Sequence, residues 1–90
     1  MNPKANWFTY IVRCKDGSLY TGYARDLKQR ISCHNQGKGA RYTRSRLPVT
    51  LMWFEKSRTR SSAMKKEAKI KTWTRAEKLK HVRLRKLKHL

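Results

Sequence analysis

Ninety residues carrying 24 Lys and Arg against five Asp and Glu have a net charge of +19, which points to a polyanionic partner. The length bounds the chain to one domain over residues 1–90 that buries about 65% of its unfolded surface. No apolar run reaches membrane-spanning length, and two Cys with three His out of finger spacing exclude a zinc finger and a disulfide scaffold.

The start, Met1-Asn2-Pro3-Lys4, lacks the apolar stretch of a signal peptide. A cytoplasmic, nucleoid-associated location with reduced thiols is therefore expected, and residues 1 to about 5 read as a loose terminus. Trp7 to Cys14 is rich in β-branched and aromatic residues and predicts a strand, with Cys14 as a small hydrophobe. Asp16-Gly17 is a hairpin signal, and Ser18 to Tyr23 is the returning strand. Asp26 caps a helix that runs to Asn35 and is stopped by Gly37. Gln36 to Leu47 reads as a loop with Gly37, Gly39 and the cations Lys38, Arg41, Arg44 and Arg46. Pro48, tolerated at the first position of a strand, opens a third strand from Val49 to Glu55. Arg58 to Ser62 reads as a polar turn before a helix around Glu67. Thr74-Arg75-Ala76-Glu77 has the capping-box pattern and starts a last, basic helix over about 75–89, with Ala76, Leu79, Val82 and Leu87 as its apolar positions. The order β-β-α-β-α-α predicts a small α+β layer fold with helices packed on the sheet.

Glu67 breaks the pattern of its own helix. Ala63, Met64, Ala68 and Ile70 form the apolar side, Lys65, Lys66 and Lys69 the other, and Glu67 falls inside the apolar arc. A carboxylate facing a core is costly unless it is paired or holds a metal. The first helix shows the same oddity, because Leu27, Arg30, Ile31 and His34 share a face. Singly, Arg30 can snorkel to water and His34 can cap the helix C-terminus. Together with Glu67 they suit phosphodiester hydrolysis with one divalent metal: a planar fork for phosphate oxygens, a proton carrier near neutral pH and a hard-cation ligand. A buried Arg30–Glu67 salt bridge is the structural competitor. Tyr10, Tyr20 and Tyr23 lie on the hairpin, and its turn decides their faces. A two-residue turn pairs Tyr10 with Tyr23 and puts Tyr20 on the other face; a three-residue loop or a bulge brings Tyr10 and Tyr20 to one face.

Tyr10-Ile11-Val12, Tyr20-Thr21-Gly22, Arg30 and Glu67, in that order over about residues 7–72, resemble the GIY-YIG nuclease domain. The stretches Asp16 to Tyr23 and His34 to Thr43 are similar to the small stand-alone bacterial members of that family, and to the nuclease half of structure-selective endonucleases. The resemblance implies a three-stranded antiparallel sheet flanked by helices, with Tyr10 and Tyr20 on one face. It implies that Glu67 binds a single divalent metal, Mg²⁺ or Mn²⁺, and that Arg30 contacts the scissile phosphate. Tyr10 and Tyr20 position or deprotonate the attacking water, and His34 serves as base or phosphate contact. Phe8-Thr9 stands where the motif has Gly-Ile, Thr21 replaces the central Ile of the second triplet, and no Asn follows Asn35.

The same residues point to DNA as partner, whether single-stranded, branched or duplex. Lys38, Arg41, Arg44 and Arg46 surround Tyr42, and cations with an aromatic suit phosphate contact and base stacking; Asn35 lies beside His34 and can orient substrate. The last helix adds charge that broadens DNA contact or touches lipid, but Leu79, Val82 and Leu87 are too thin an apolar face for membrane association. The expectation is a metal-dependent DNA endonuclease, structure-selective or single-strand-directed, with no small-molecule cofactor and no membrane partner. The competing reading is a non-catalytic nucleic-acid-binding protein of the same fold. Such a binder has no need of Glu67, which repels phosphate unless a cation intervenes.

Overall fold

A hairpin of β1 (Trp7–Arg13) and β2 (Leu19–Ala24) organises the molecule. Its loop has three residues: Cys14 N–H donates to Ser18 O at 2.8 Å, Gly17 N–H to Cys14 O at 2.9 Å, and Gly17 takes a φ of 85°. A turn closed by a left-handed residue needs glycine. The loop sets a register in which Tyr10 faces Gly22 and Val12 faces Tyr20, so Tyr10 and Tyr20 share a face. The resemblance implied this arrangement, and the two-residue alternative is excluded.

The structure is a computed structural model that describes residues 6–88, with side chains to 83. The expected loose start at residues 1–5 and the packing of Leu87 lie outside what is described.

The other elements are α1 (Leu27–Asn35), α2 (Arg41–Arg44), β3 (Thr50–Ser57), α3 (Arg60–Lys71) and α4 (Arg75–Lys88). β3 pairs antiparallel with β1 on the side away from β2, giving the order β2-β1-β3. Between Ile11 and Val12 the register slips, since Ile11 faces Trp53 while Val12 faces Leu51; Met52 is the extra residue of a bulge. Alternation along β1 sorts the core. Tyr10 and Val12 pack with Leu27 and Ile31 of α1, whereas Ile11 packs with Trp53, Ile70 of α3 and Val82 of α4.

The caps follow local chemistry. Asp26 accepts from Gln29 N–H at 3.0 Å at the start of α1. At its end Gly37, at φ 78°, donates to His34 O and Lys38 N–H donates to Cys33 O, a Schellman closure. Thr74 and Glu77 exchange reciprocal bonds of 3.1 Å before α4, the capping box read from the sequence.

Three local expectations are corrected. The 36–47 loop contains the helical turn α2, which carries too few residues for periodicity to reveal. The polar turn at 58–62 is the start of α3, because the Thr59 hydroxyl accepts from Ser62 N–H. The apolar side of α3 is narrower than its composition suggested: Ala63 and Ile70 are buried, but Met64 and Ala68 are exposed. The buried stripe is spaced four and three residues apart with Glu67 as its middle member, and Lys66 beside it reaches Glu55 of β3 at 2.7 Å.

Candidate active site

Tyr10, on the central strand, has no solvent exposure, and its hydroxyl lies 2.8 Å from His34 Nε2. The hairpin makes room for it at Gly22, where a Cβ would come within 2.5 Å of the Tyr10 oxygen. His34, on the last turn of α1, is equally buried, and its Nδ1 lies 2.8 Å from Thr43 Oγ1. The Thr43 hydroxyl is also 3.1 Å from Ala40 O, as its donor. A Cβ at Gly39 would run into the His34 ring, so the loop after α1 lies flush against the imidazole. Tyr20 approaches the same ring edge-on at 5.5 Å between centroids.

The Arg30 guanidinium lies beside the Tyr10 hydroxyl, one turn of α1 before His34. Hydrogen bonding to Tyr10 is the main cause that holds Arg30 above its ordinary pKa. Burial pushes the Tyr10 phenol above its ordinary 10.0, with Arg30 pulling against it and Glu67 adding to the rise. Burial, and then the Arg30 charge, hold His34 below its ordinary 6.5, so the imidazole is neutral at physiological pH. Arg30 Nε is buried with no hydrogen-bond partner.

Glu67 reaches this cluster from α3. Its side chain is 18% exposed, and the cation beside it is Lys71 Nζ at 3.7 Å, one turn further on. Lys71 also lies 5.8 Å from the centre of the Tyr20 ring. Among the described residues Glu67 pairs with Lys71 and not with Arg30, so the salt bridge that competed with a site is not formed. Arg30 and His34 therefore meet at the Tyr10 hydroxyl, Tyr20 lies against the His34 ring, and the Glu67 charge acts on the Tyr10 phenol from α3.

The residues expected to contact nucleic acid divide. Lys38, Arg41 and Arg44 are exposed. Arg46 is engaged within the protein, donating to Asp16 Oδ2 at 3.1 Å and to Tyr42 O at 2.7 Å. The Tyr42 ring stacks on Tyr20 at 5.9 Å and carries the Arg46 guanidinium 4.0 Å from its centre. The Asn35 amide bonds both ways to the Val49 backbone, clamping the end of α1 to the start of β3. Thr43, Lys71, Gly22 and Gly39 were not singled out as site residues by sequence reasoning. Gly39 had a signal, a second glycine soon after the cap, and its reason is the buried His34 ring.

This disposition, a paired-tyrosine hairpin with Arg and His on the next helix and Glu on the third, coincides with a family match. Residues 6–80 match the GIY-YIG catalytic domain. The chain belongs to the GIY-YIG family. A UPF0213 protein of Staphylococcus epidermidis is 56% identical over 75 residues, covering 83% of this chain and 92% of that one. A UPF0213 protein of Staphylococcus aureus is 53% identical over 78 residues, covering 87% and 95%. Two solution NMR structures are similar. A UPF0213 protein from Bacillus halodurans is 43% identical with a TM-score of 0.57, covering 88% of this chain and 84% of that one. A protein from E. faecalis is 39% identical with a TM-score of 0.63, covering 97% and 93%. Membership places the chain in a nuclease family, and its relatives are small UPF0213 proteins. Among the described residues no helix is long and apolar enough to cross a membrane.

Proposed function

We propose that this protein is a metal-dependent DNA endonuclease that hydrolyses phosphodiester bonds, acting on single-stranded or branched DNA. The observation that carries the reading is the Tyr10–His34 contact with Arg30 beside it: a buried neutral imidazole, a phenol and a guanidinium converge on one oxygen. A purely binding surface has no use for a dry imidazole paired to a tyrosine behind an inward-facing carboxylate.

The Tyr10 hydroxyl is sealed from solvent in the free protein, so the attacking water reaches it only in the substrate complex; there Tyr10 takes the water's proton while its own proton passes to His34 Nε2. The hydroxide formed attacks phosphorus, the ester P–O bond breaks, and the leaving alkoxide takes a proton from solvent. Arg30, a donor that stays charged at working pH, holds the oxygens on which negative charge grows. Tyr20, stacked on Tyr42, walls the water's side of the site. Glu67 is the metal ligand of this reading. Its carboxylate offers hard oxygens, and among the described residues no group of three His, Cys, Asp or Glu is placed to hold an ion. That donor set fits Mg²⁺ or Mn²⁺, which take one or two protein carboxylates and fill the remaining positions with water and phosphate oxygens. Such an ion supplies Lewis-acid charge to the phosphate when bound. Lys38, Arg41 and Arg44, exposed on and beside α2, supply phosphate contact.

The test is cleavage of labelled single-stranded, duplex and branched DNA with Mg²⁺ by wild type and Glu67→Ala, with a chelator control. Cutting by wild type alone, abolished by chelator, supports the enzyme, and the preferred substrate names its class. No cutting by either, with tight salt-sensitive binding by both, establishes the non-catalytic binder instead.

A further inference from the structure

The three hydrogen bonds behind Tyr10 form a chain whose direction can be worked out. Its members are Tyr10 Oη, His34 Nε2, His34 Nδ1, Thr43 Oγ1 and Ala40 O, joined by distances of 2.8, 2.8 and 3.1 Å. Ala40 O can only accept, and each hydroxyl has one proton to give. Suppose Thr43 gave its proton to Nδ1. Nε2–H would then donate to Tyr10, and the buried phenolic proton would have nowhere to go, because its other neighbour, Arg30, is a donor without acceptor capacity. Ala40 O would lose one of its two bonds, keeping the one from Arg44 N–H. The opposite direction satisfies every group. Thr43 donates to Ala40 O and accepts from Nδ1–H; the bare Nε2 accepts from Tyr10; and the phenolic lone pairs face Arg30. Leaving a buried donor without a partner costs about 1–3 kcal/mol, enough to select one direction.

We propose that Thr43 is a positioning residue that holds His34 as the Nδ1–H tautomer, leaving Nε2 open to receive the Tyr10 proton. Which ring nitrogen carries the proton is set by the hydrogen bond the other one makes, and here Thr43 makes it. Fold and burial isolate the device. Thr43 and His34 have no solvent exposure, and Gly39 lies flush against the ring. The one-turn helix α2 exists in the right place to aim it: Ala40 O, which receives the Thr43 proton, also receives Arg44 N–H at 3.1 Å. The catalytic consequence rests on the reading of Tyr10 as the group that takes the water's proton; the tautomer itself does not.

Long-range proton–nitrogen correlation spectra of the full chain labelled at its histidine nitrogens read the tautomer directly. Comparison with His34→Gln assigns the His34 signals, and cleavage of single-stranded and branched DNA with Mg²⁺ is measured on the same samples. Wild type should show His34 protonated at Nδ1 alone. Thr43→Ser should preserve that signature and the activity, whereas Thr43→Val should move the proton toward Nε2 and lower kcat about 100-fold with KM little changed. A wild-type His34 protonated at Nε2 overturns the proposal without recourse to any variant, and so does a Thr43→Val spectrum identical to wild type. An Nδ1–H signature lost in Thr43→Val, in a wild-type protein that cuts no DNA, upholds the tautomer assignment while removing the nuclease reading.

Discussion

Tyr10 and His34 meet with 2.8 Å between hydroxyl oxygen and Nε2, and neither side chain is exposed to solvent. Within that contact a proton can move between two groups without desolvating either, since both are already dry. Removing the hydroxyl by Tyr10→Phe leaves Nε2 a buried acceptor without a donor. A loss of about 1–3 kcal/mol in urea unfolding is expected, together with loss of cleavage on a protein that remains folded at 25 °C. Undiminished cleavage by a folded Tyr10→Phe would remove Tyr10 from the mechanism.

Glu67→Gln separates function from stability. The Glu67–Lys71 pair spans one helical turn with the lysine about half exposed, and such pairs contribute about 0.3–0.5 kcal/mol. The variant should therefore unfold within about 0.5 kcal/mol of wild type while cleavage disappears and DNA binding persists. Large destabilisation would show that the carboxylate is structural.

His34 makes stability depend on pH in one direction. The unfolded imidazole takes up a proton as pH falls through its ordinary 6.5, and the folded one resists it because burial and Arg30 hold its pKa lower. Stability is fully present above about 6.5 and declines as pH falls below that value. Denaturant midpoints at about pH 7.5 and about pH 5.5 should differ in wild type and differ less in His34→Gln. Equal pH sensitivity in both proteins would assign the decline to other groups.

Gly39→Ala tests the flush packing of the loop on the His34 ring, where a Cβ has no room. The loop or the ring must shift, at a cost of about 1–3 kcal/mol. Circular dichroism melts should show a lower midpoint, and His34 resonances should move. An unaltered melt would mean that the loop yields freely.

Lys38, Arg41 and Arg44 carry the exposed charge next to the site. Replacing all three with Ala should weaken binding and reduce the slope of log K against log salt by about 0.9 per cation on duplex DNA, or about 0.7 on single strands. A slope that stays at the wild-type value would place the DNA on another basic face, such as α4.

The order of elements, the extreme basic charge and the inward position of Glu67 were legible in the sequence, because each comes from local periodicity, caps or composition. The Asp26 and Thr74 caps and the stop at Gly37 formed as read, since a cap is a contract between residues three or four apart. The breadth of the α3 apolar face was misjudged at Met64 and Ala68: helical spacing shows which residues share a side, not how much of that side a three-stranded sheet covers. Tertiary structure alone decided that Arg30 does not pair with Glu67, that Tyr42 stacks on Tyr20 with Arg46 over its ring, and that Gly39 lies against a buried ring. It also brought Thr43 onto His34 across nine residues of a loop without a repeating pattern. Such contacts depend on how a loop closes and on which of several hydrogen-bond directions leaves no buried proton unpaired, and neither is written in the spacing of residue types.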